Sequence, residues 1–296
     1  MSIFVSVPTL KDPEIISTIV SAFENADSPS SVYMGVAAFV DQEFYDDLVQ
    51  DARGIKNLFI DRYDKGMNTG VGVGRTHAKL RYDNQDIFLQ VDSHTYFGSG
   101  WDTAVTMLWN AAVNETKNSK TVVSGYLPKY TREDGEVHTD EDNFFRYSVL
   151  TRRLGSIKWN KIRWIDLPLY RFYKTDKKFI PAIKVSGTFI LSDHHYAENS
   201  GHVYSTKLYD EEIIQSIELL SSGYSLAFPN FTIPIYHFYG DLRRETTRST
   251  LMEMEKSIEN YLEENPEKCE VWENYARVNL KDSSFQKWYI PKTYGE

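Results

Sequence analysis

The sequence predicts an α/β fold with a mostly parallel central sheet flanked by helices, and three observations lead to that prediction. An apolar run at Ile3–Val7 is typical of a buried strand, and a helical pattern of apolar residues follows over residues 13–26. A second apolar run at Val32–Val40 completes a strand–helix–strand unit, whose strands pair in parallel. Further buried strands are expected at Leu58–Asp61 and Ile87–Val91. Ligands of such sheets collect at the carboxyl ends of the strands.

The elements of the first 100 residues follow from periodicity and from Pro and Gly. Pro13 suits the first turn of a helix, whose apolar residues recur at helical spacing. Gly70–Gly74 lacks the G-x-G-x-x-G spacing of a dinucleotide-binding turn and follows no clear strand, so it is predicted to be a flexible loop. A helix over Thr76–Tyr82 then leads into the strand at Ile87.

The second part of the chain continues the alternation of helices and strands. Gly223 is the expected C-terminal stop of one helix, and Pro266 ends another. The predicted elements are helices at Ala104–Ala112, Asp210–Leu220 and Arg244–Glu264, strands at Val122–Leu127, Val185–Leu191 and Ile233–Tyr239, and an acidic surface loop at Glu133–Asp142. The long helix over 244–264 has one apolar face, through which a homo-oligomer could form.

Composition excludes several classes of protein. No apolar run approaches the ~20 residues of a membrane span, and the first residues have no basic region of a signal peptide. The single cysteine, Cys269, excludes an internal disulfide and a cysteine-based zinc site. We therefore expect no membrane partner and a cytoplasmic location, which would be the host cytoplasm for a viral protein. The net charge of −9 argues against general nucleic-acid binding.

Two metal-competent side chains, Asp92 and His94, follow directly on the strand Ile87–Val91. Residues two apart in an extended segment point the same way, so a carboxylate and an imidazole would face one cation. A hard oxygen ligand beside a histidine suits Mn²⁺ or Zn²⁺ better than Ca²⁺. On these two residues alone, Asp92 could equally cap a turn and His94 could be a surface histidine.

The segment Leu89-Gln90-Val91-Asp92-Ser93-His94, followed by Trp101-Asp102, resembles the metal motif of retaining glycosyltransferases of the GT-A fold. It is most similar to the protein-hydroxyproline N-acetylglucosaminyltransferase family and more distantly to the polypeptide N-acetylgalactosaminyltransferases. The similarity extends from Ile3 to about Tyr239 as scattered motifs. It implies a GT-A domain over 1–240, with a nucleotide-sugar half (1–102) and an acceptor half (103–240), and a helical extension over 241–296.

The resemblance also implies roles for particular residues. For two of these roles the residues alone leave an alternative. Arg75, an implied donor contact, could be a solvated residue at a helix start, and the implied catalytic acids could simply stabilise the start of their helix through its dipole. The family's small-residue turn corresponds to Ser186-Gly187-Thr188, and its glycine before the acidic pair is Asp210 here, which leaves the transferred sugar open. The implied groups are metal ligands Asp92, His94 and His237; donor contacts Thr9, Asp12, Arg75, Asp92, Ser93 and Gly187; catalytic residues Asp210, Glu211 and Glu212; and acceptor contacts Trp101, Asp102, Arg163 and Trp164.

Two further segments carry residues that could bind ligands. Residues 151–184 hold ten Lys and Arg against two Asp, a local charge of +8, with aromatic residues interleaved. Such a surface can hold a phosphate backbone and stack bases, or it can be a solvated strand pair. Asp193-His194-His195 has no counterpart in the family and is predicted to be a loop near the acceptor.

Three functions follow as hypotheses. The first is a transferase that moves a GlcNAc-like sugar from a UDP-sugar to a hydroxyl of a macromolecular acceptor such as a protein, with Mn²⁺ or Mg²⁺ as cofactor and with retention of configuration. The second is a phage-type enzyme that glycosylates hydroxymethylated pyrimidines in DNA through residues 151–184. The third is a catalytically inactive sugar-binding module.

Overall fold

The computed structural model describes residues 1–67, 70–139, 178–182, 184–199, 209–229, 231–239, 256–258 and 260–279. Its helices are α1 Ile15–Glu24, α2 Gln42–Asp51, α3 Val71–Ala78, α4 Trp101–Thr116, α5 His194–Asn199, α6 Tyr209–Ser221 and α7 Pro266–Asn279. Its strands are β1 Ile3–Thr9, β2 Val32–Phe39, β3 Leu58–Tyr63, β4 Ile87–Val91, β5 Thr95–Phe97, β6 Thr121–Ser124, β7 Lys129–Glu133, β8 Glu136–Thr139, β9 Phe179–Pro181, β10 Phe189–Ser192, β11 Ser225–Pro229 and β12 Ile235–Phe238.

The main sheet of the described residues has eight strands in the order β3-β2-β1-β4-β10-β6-β11-β9. Strands β1 to β4 pair in parallel, and β6 and β11 run in the same direction. Only β10 and β9 run antiparallel to their neighbours. The predicted α/β class with a mostly parallel sheet is therefore confirmed.

Burial of the strands explains their sequences. The central strands β1 and β4 are apolar runs that are buried on both faces, as strands of a parallel sheet between helices must be. The outer strand β3 consists of exposed and partly buried residues. Helix α1 covers one face of the sheet with Ile15, Ile19 and Ala22, all within the main core.

A second sheet of four strands, in the order β5-β12-β7-β8, lies beyond the end of β4. Strand β12 pairs antiparallel with β5, so that His237 lies opposite Thr95. The prediction of an acidic surface loop at 133–142 is wrong for residues 133–139, which the structure describes. There β7 and β8 form a hairpin with Asp134 and Gly135 at the turn. This small sheet brings a histidine from late in the chain next to the Asp-x-His motif.

The prediction of a flexible loop at Gly70–Gly74 is also wrong, because α3 begins at Val71 and includes Gly72 and Gly74, with Gly70 as its N-cap residue. A Cβ on Gly74 would lie 3.0 Å from the Cβ of Pro8. On β2, a Cβ on Gly35 would lie 2.5 Å from the carbonyl oxygen of Ala78 at the end of α3. Close packing of α3 on the sheet thus outweighs the low helix propensity of glycine.

The C-terminal part adds helices to the same core. Residues 256–258 and 260–264 are helical, and their apolar residues Ile258 and Leu262 are buried. Trp272 of α7 is buried too, and all three belong to the main core cluster. The described part of the predicted 244–264 helix therefore uses its apolar face within the chain, and residues 244–255 lie outside the described ranges. A domain boundary at 240 stays a prediction.

The described helices were also compared with the requirements of a membrane span. None of them is both long enough and apolar enough to cross a bilayer. Helix α6 ends as predicted: Gly223 has a positive φ of 83°, and Tyr224 donates its backbone N–H to the carbonyl of Leu219.

We predict that Gly35→Ala lowers the free energy of unfolding by about 1–3 kcal/mol, because a methyl group there overpacks the contact between β2 and α3. Chemical denaturation measures the change. Gly66→Ala is the matched control, since among the described residues its added methyl group meets the flexible side chain of Asp64 and no backbone. Its effect should stay within about 0.5 kcal/mol. Equal effects of the two substitutions would contradict this account of the packing.

Candidate functional site

The candidate site lies at the carboxyl edge of the main sheet, where several chain segments converge. Thr9 is the last residue of β1, and Asp92 follows β4 directly. Phe189, the first residue of β10, pairs with Val91, so the turn before β10 reaches the same edge. Residues far apart in sequence therefore surround the end of β4, as expected for a ligand site in an α/β sheet.

The predicted metal ligands Asp92, His94 and His237 lie together. One ligand atom from each lies within 4.8 Å of the others. His237 Nε2 is 3.2 Å from Asp92 Oδ2, and His94 Nε2 is 4.0 Å from the same oxygen. One carboxylate and two imidazoles are a donor set that suits a first-row divalent cation such as Mn²⁺, so the residues fit the group that the sequence implies.

His237 reaches this position through β12. The backbone of the strand is fixed on both sides, since His237 donates its N–H to the carbonyl of Pro128 and Phe238 donates to that of His94. Burial lowers the pKa of the His237 imidazole below its usual value, although the hydrogen bond to Asp92 opposes the shift. The ring is therefore neutral near pH 7, and a neutral imidazole is the form that binds a metal.

Asp92 is the residue that the others share. Burial acts to raise the pKa of its carboxyl group, but the hydrogen bond from His237 and the positive charge of Arg75 outweigh burial and hold the pKa well below its usual range. The carboxylate is thus ionised at neutral pH. Its Oδ2 faces the two imidazoles and its Oδ1 lies 3.6 Å from Arg75 Nη2.

Arg75 is buried, so the alternative of a solvated residue at a helix start is wrong. Its guanidinium forms an ion pair with Glu211 and lies beside Asp92. Burial acts against its charge, but the carboxylates of Glu211 and Asp92 prevail and raise the pKa of Arg75 further. The residue is therefore a fixed positive charge directly behind Asp92.

Gly187 packs face to face with this guanidinium. A Cβ at Gly187 would lie 1.9 Å from Arg75 Nη2, a distance that no side chain allows. Its backbone N–H donates to Glu212 Oε1 at 2.7 Å, and its carbonyl accepts from Gln90 Nε2 at 3.2 Å. The predicted small-residue turn therefore exists, and glycine is required there by close approach to Arg75.

The predicted catalytic carboxylates Glu211 and Glu212 lie in the first turn of α6 and are both buried. Glu211 pairs with Arg75, and Glu212 pairs with Lys184 Nζ at 2.6 Å. Both carboxylates thus hold neighbouring cations and the turn at Gly187. A direct catalytic role stays a prediction for them. Asp210 lies in the same turn of the helix, and its side chain is outside the described part.

Sequence reasoning missed the residues that hold the turn before β10. Three successive backbone N–H groups of this turn are each captured by a side chain from another element. They are Val185 N–H to Ser216 Oγ, Ser186 N–H to Ser124 Oγ, and Gly187 N–H to Glu212 Oε1. Lys184 was predicted only as part of a basic surface. The available signal was the position of Lys184 immediately before the predicted strand that contains Ser186-Gly187. Its partner Glu212 could not be identified from the sequence.

The predicted donor contacts Asp12, Ser93 and Thr9 form a hydrogen-bonded group beside His94. Asp12 Oδ2 accepts from His94 Nδ1 at 2.7 Å and from Ser93 Oγ at 2.9 Å. Thr9 Oγ1 accepts from the backbone N–H of Asp12 at 3.3 Å. The carboxylate of Asp12 therefore faces a predicted metal ligand. Contact of this group with a donor stays a prediction.

The predicted acceptor contacts Trp101 and Asp102 lie in the interior. Trp101 is completely buried, and its Nε1–H donates to the carbonyl of Ala22 at 2.8 Å. The carboxylate of Asp102 accepts from the backbone N–H groups of Asp27 and Ser28, both at 2.9 Å. Neither side chain faces a surface that an acceptor could reach, because Trp101 joins α4 to α1 and Asp102 joins α4 to the segment after α1.

The remaining predicted contacts are not near the site or cannot be placed. Arg163 and Trp164 lie outside the described residues. Asp193-His194-His195 is the start of α5 rather than a loop, and it could hold a metal by its own geometry. Ser192 precedes it and pairs with Phe88, near the amino end of β4. This second cluster therefore lies at the opposite edge of the sheet from Asp92, and its predicted position near the acceptor stays a prediction.

Comparisons with known proteins identify a family and a fold. A family model described as Glycosyltransferase (GlcNAc) matches residues 49–271. No curated protein matches the chain.

Solved structures with the same fold include GalNAc-T7 with UDP, GalNAc and Mn²⁺, at a TM-score of 0.58 and 12% identity over 99% of this chain. The match covers 57% of that protein, so the present chain is considerably shorter. TarS 1–349 of S. aureus in complex with UDP-GlcNAc matches at a TM-score of 0.56 and 13% identity, over 97% of this chain and 75% of that one. At these identities the likeness shows the fold, which is GT-A.

We predict that Gly187→Ala lowers the free energy of unfolding by about 1–3 kcal/mol, because the methyl group displaces the Arg75 guanidinium. The decisive measurement is a double-mutant cycle by denaturation. In a background of Arg75→Ala with Glu211→Gln, which removes the cation without leaving a buried unpaired carboxylate, the same substitution should cost at least about 1 kcal/mol less. Additive costs in the two backgrounds would show that Arg75 is not the reason for glycine.

Proposed function

Since the chain belongs to the Glycosyltransferase (GlcNAc) family, we propose that it transfers a GlcNAc-like sugar from a UDP-sugar to a hydroxyl group of a macromolecular acceptor such as a protein. We further propose that the reaction depends on a divalent cation, Mn²⁺ or Mg²⁺, and retains the configuration of the anomeric carbon. The halves 1–102 and 103–240 would supply the donor and the acceptor sides of one domain.

The single observation that carries this proposal is the convergence of Asp92, His94 and His237 at the carboxyl edge of the sheet. The three residues come from the end of β4 and from β12. If His237 were only a packed core residue, there would be no reason for a carboxylate and a second histidine to converge on the same point. The arrangement supports cation binding next to a diphosphate.

The charges around the proposed cation suit a diphosphate donor. When bound, the cation would neutralise the charge that grows on the diphosphate as the glycosidic bond breaks. Arg75 adds a fixed positive charge behind Asp92, and its partner Glu211 prevents it from moving away. Because the buried ion pair of Arg75 and Glu211 is already in place, its charges need little reorganisation during the reaction.

The exposure of the site residues indicates the side from which a donor would approach. The side chains of Asp92 and His94 are 21% and 27% exposed, whereas those of Arg75 and Glu211 are 5% and 0% exposed. Asp92 and His94 therefore line the open side, and the ion pair with Gly187 forms the floor, while His237 is buried beside them. A sugar would rest above that floor.

The type of sugar is a proposal that rests on the family and on two neighbours. GalNAc-T7 was solved with UDP and GalNAc, and TarS with UDP-GlcNAc. Asp210 stands where the resembled families have glycine, so the site differs from theirs at one position near the sugar. We therefore propose UDP-GlcNAc as the first donor to test and UDP-GalNAc as the second.

The proposed retention of configuration needs no strong protein base. The acceptor hydroxyl would attack from the side of the leaving group, and the departing phosphate oxygen would take its proton. The buried carboxylates Glu211 and Glu212 already neutralise Arg75 and Lys184, which supports a role in holding the site rather than in proton transfer. The anomeric carbon would acquire oxocarbenium character as the glycosidic bond breaks.

The DNA-modifying alternative gains no support from the described residues. Of its ten basic residues, Lys184 is buried and paired with Glu212, so it is not part of a surface for DNA. Most of the segment 151–184 lies outside the described ranges. A protein or glycan hydroxyl is therefore the acceptor class that we propose.

We predict that Asp92→Ala and His94→Ala each lower kcat/KM for Mn²⁺-dependent transfer or hydrolysis of UDP-GlcNAc by at least about 100-fold, because loss of a metal ligand removes several kcal/mol of charge stabilisation. His194→Ala is the matched control, since it removes an exposed histidine of the second cluster at the opposite edge of the sheet. Its activity should equal that of the wild type. Chelation should abolish turnover and Mn²⁺ should restore it, as measured by release of UDP.

Two results would contradict the proposal. Full activity of Asp92→Ala or of the chelated protein would exclude a role of the cation. Binding of UDP-GlcNAc without turnover, across a panel of acceptors that includes proteins, glycans and hydroxymethylated DNA, would instead identify an inactive sugar-binding module.

A further inference from the structure

The loop between β1 and α1 places a carboxylate against the far side of a predicted metal ligand. Asp12 Oδ2 lies 2.7 Å from His94 Nδ1, on the opposite side of the imidazole from Asp92. The same oxygen accepts from Ser93 Oγ at 2.9 Å. The sequence predicts Asp12 as a contact of the donor, but its carboxylate is directed at the histidine.

Asp12 is itself held in place by backbone and side-chain contacts. Its Oδ1 accepts from the backbone N–H of Glu14 at 2.9 Å. Glu14 Oε2 in turn accepts from Tyr130 Oη at 3.0 Å and from Arg132 Nε at 2.9 Å. Because Tyr130 and Arg132 belong to β7, the loop is anchored to the small sheet that also carries His237.

The hydrogen bond determines which nitrogen of His94 carries the proton. Both oxygens of the Asp12 carboxylate act as acceptors, since Oδ1 accepts from the backbone N–H of Glu14 and Oδ2 from Ser93 Oγ. A carboxylate can only accept at the 2.7 Å contact with His94, so His94 Nδ1 is the protonated nitrogen. Nε2, the nitrogen nearer to Asp92, then keeps its lone pair for a cation.

We propose that Asp12 is a positioning residue of the metal site, which fixes the Nδ1–H tautomer and the orientation of His94. A carboxylate behind a metal-binding histidine also makes the imidazole a stronger ligand. The inference rests on the proposed function, since it assigns the cation to His94 Nε2. It gives Asp12 no contact with the donor, and it makes Ser93 a second holder of the same carboxylate.

The test compares the affinity for Mn²⁺ alone, without any sugar nucleotide, in Asp12→Asn, Asp12→Ala and a control. Asp41→Asn is the matched control, because it removes one negative charge after β2 at the same edge of the sheet, where the carboxylate accepts from Lys11, Lys65 and the backbone N–H of Phe44. Isothermal titration should show a loss of about 10–100-fold for Asp12→Ala, and a smaller loss for Asp12→Asn. Asp41→Asn should change the affinity by no more than about fivefold.

The tautomer of His94 provides a second readout that a purely structural role of Asp12 would not change. The ring nitrogens of the seven histidines can be followed by ¹⁵N NMR of the metal-free protein at pH 9, with His94→Ala for assignment. The wild type should show His94 protonated at Nδ1, and Asp12→Ala should lose that preference. If Asp12→Ala does not fold, Asp12→Leu, which likewise cannot accept a hydrogen bond, carries both measurements.

An unchanged tautomer in Asp12→Ala or Asp12→Leu, or an Mn²⁺ affinity of Asp12→Ala equal to that of Asp41→Asn, would overturn the inference. Failure of the proposed function would give a different result. A wild-type protein without Mn²⁺ affinity would contradict the cation dependence, while the tautomer, measured without metal, would still decide whether Asp12 positions His94.

Discussion

The shared carboxylate of Asp92 is the interaction on which the rest of the site depends. One oxygen accepts from His237 and faces His94, and the other lies beside Arg75. A carboxylate in such a partly buried place is stable as an anion only because these cationic and hydrogen-bonding partners outweigh the cost of burial. Each partner comes from a different element, so the whole sheet edge must assemble before the site exists.

The surrounding charges are balanced within the fold. Arg75 and Lys184 are buried and paired with Glu211 and Glu212, which arise from one turn of α6. A buried ion pair adds little net stability, but removing one partner leaves an uncompensated charge and costs about 3–5 kcal/mol. Such a network is therefore poorly explained by stability alone. The network fixes the position of Gly187 and of the Arg75 guanidinium behind Asp92. A site for a charged donor requires such fixed positions.

The sequence was sufficient for the elements whose signals are local. The strand Ile87–Val91, the stop at Gly223 and the parallel βαβ unit follow from apolar runs, glycine and spacing, and a resemblance was enough to select His237. The sequence was insufficient to predict structure at positions whose contacts come from residues far away in the chain. Gly70–Gly74 reads as a loop until α3 packs on Pro8 and Gly35, and Trp101-Asp102 reads as an acceptor surface until its contacts with residues 22–28 are known. Asp12 needed the same kind of information, because only the fold shows that its carboxylate meets His94.

The most direct test of the central claim is the anomalous diffraction of crystals grown with Mn²⁺ and UDP. The account predicts one strong manganese peak at about 2.0–2.3 Å from an oxygen of Asp92 and from one ring nitrogen each of His94 and His237, in contact with the diphosphate. A manganese peak only at Asp193-His194-His195, or a diphosphate bound away from Asp92, would contradict it.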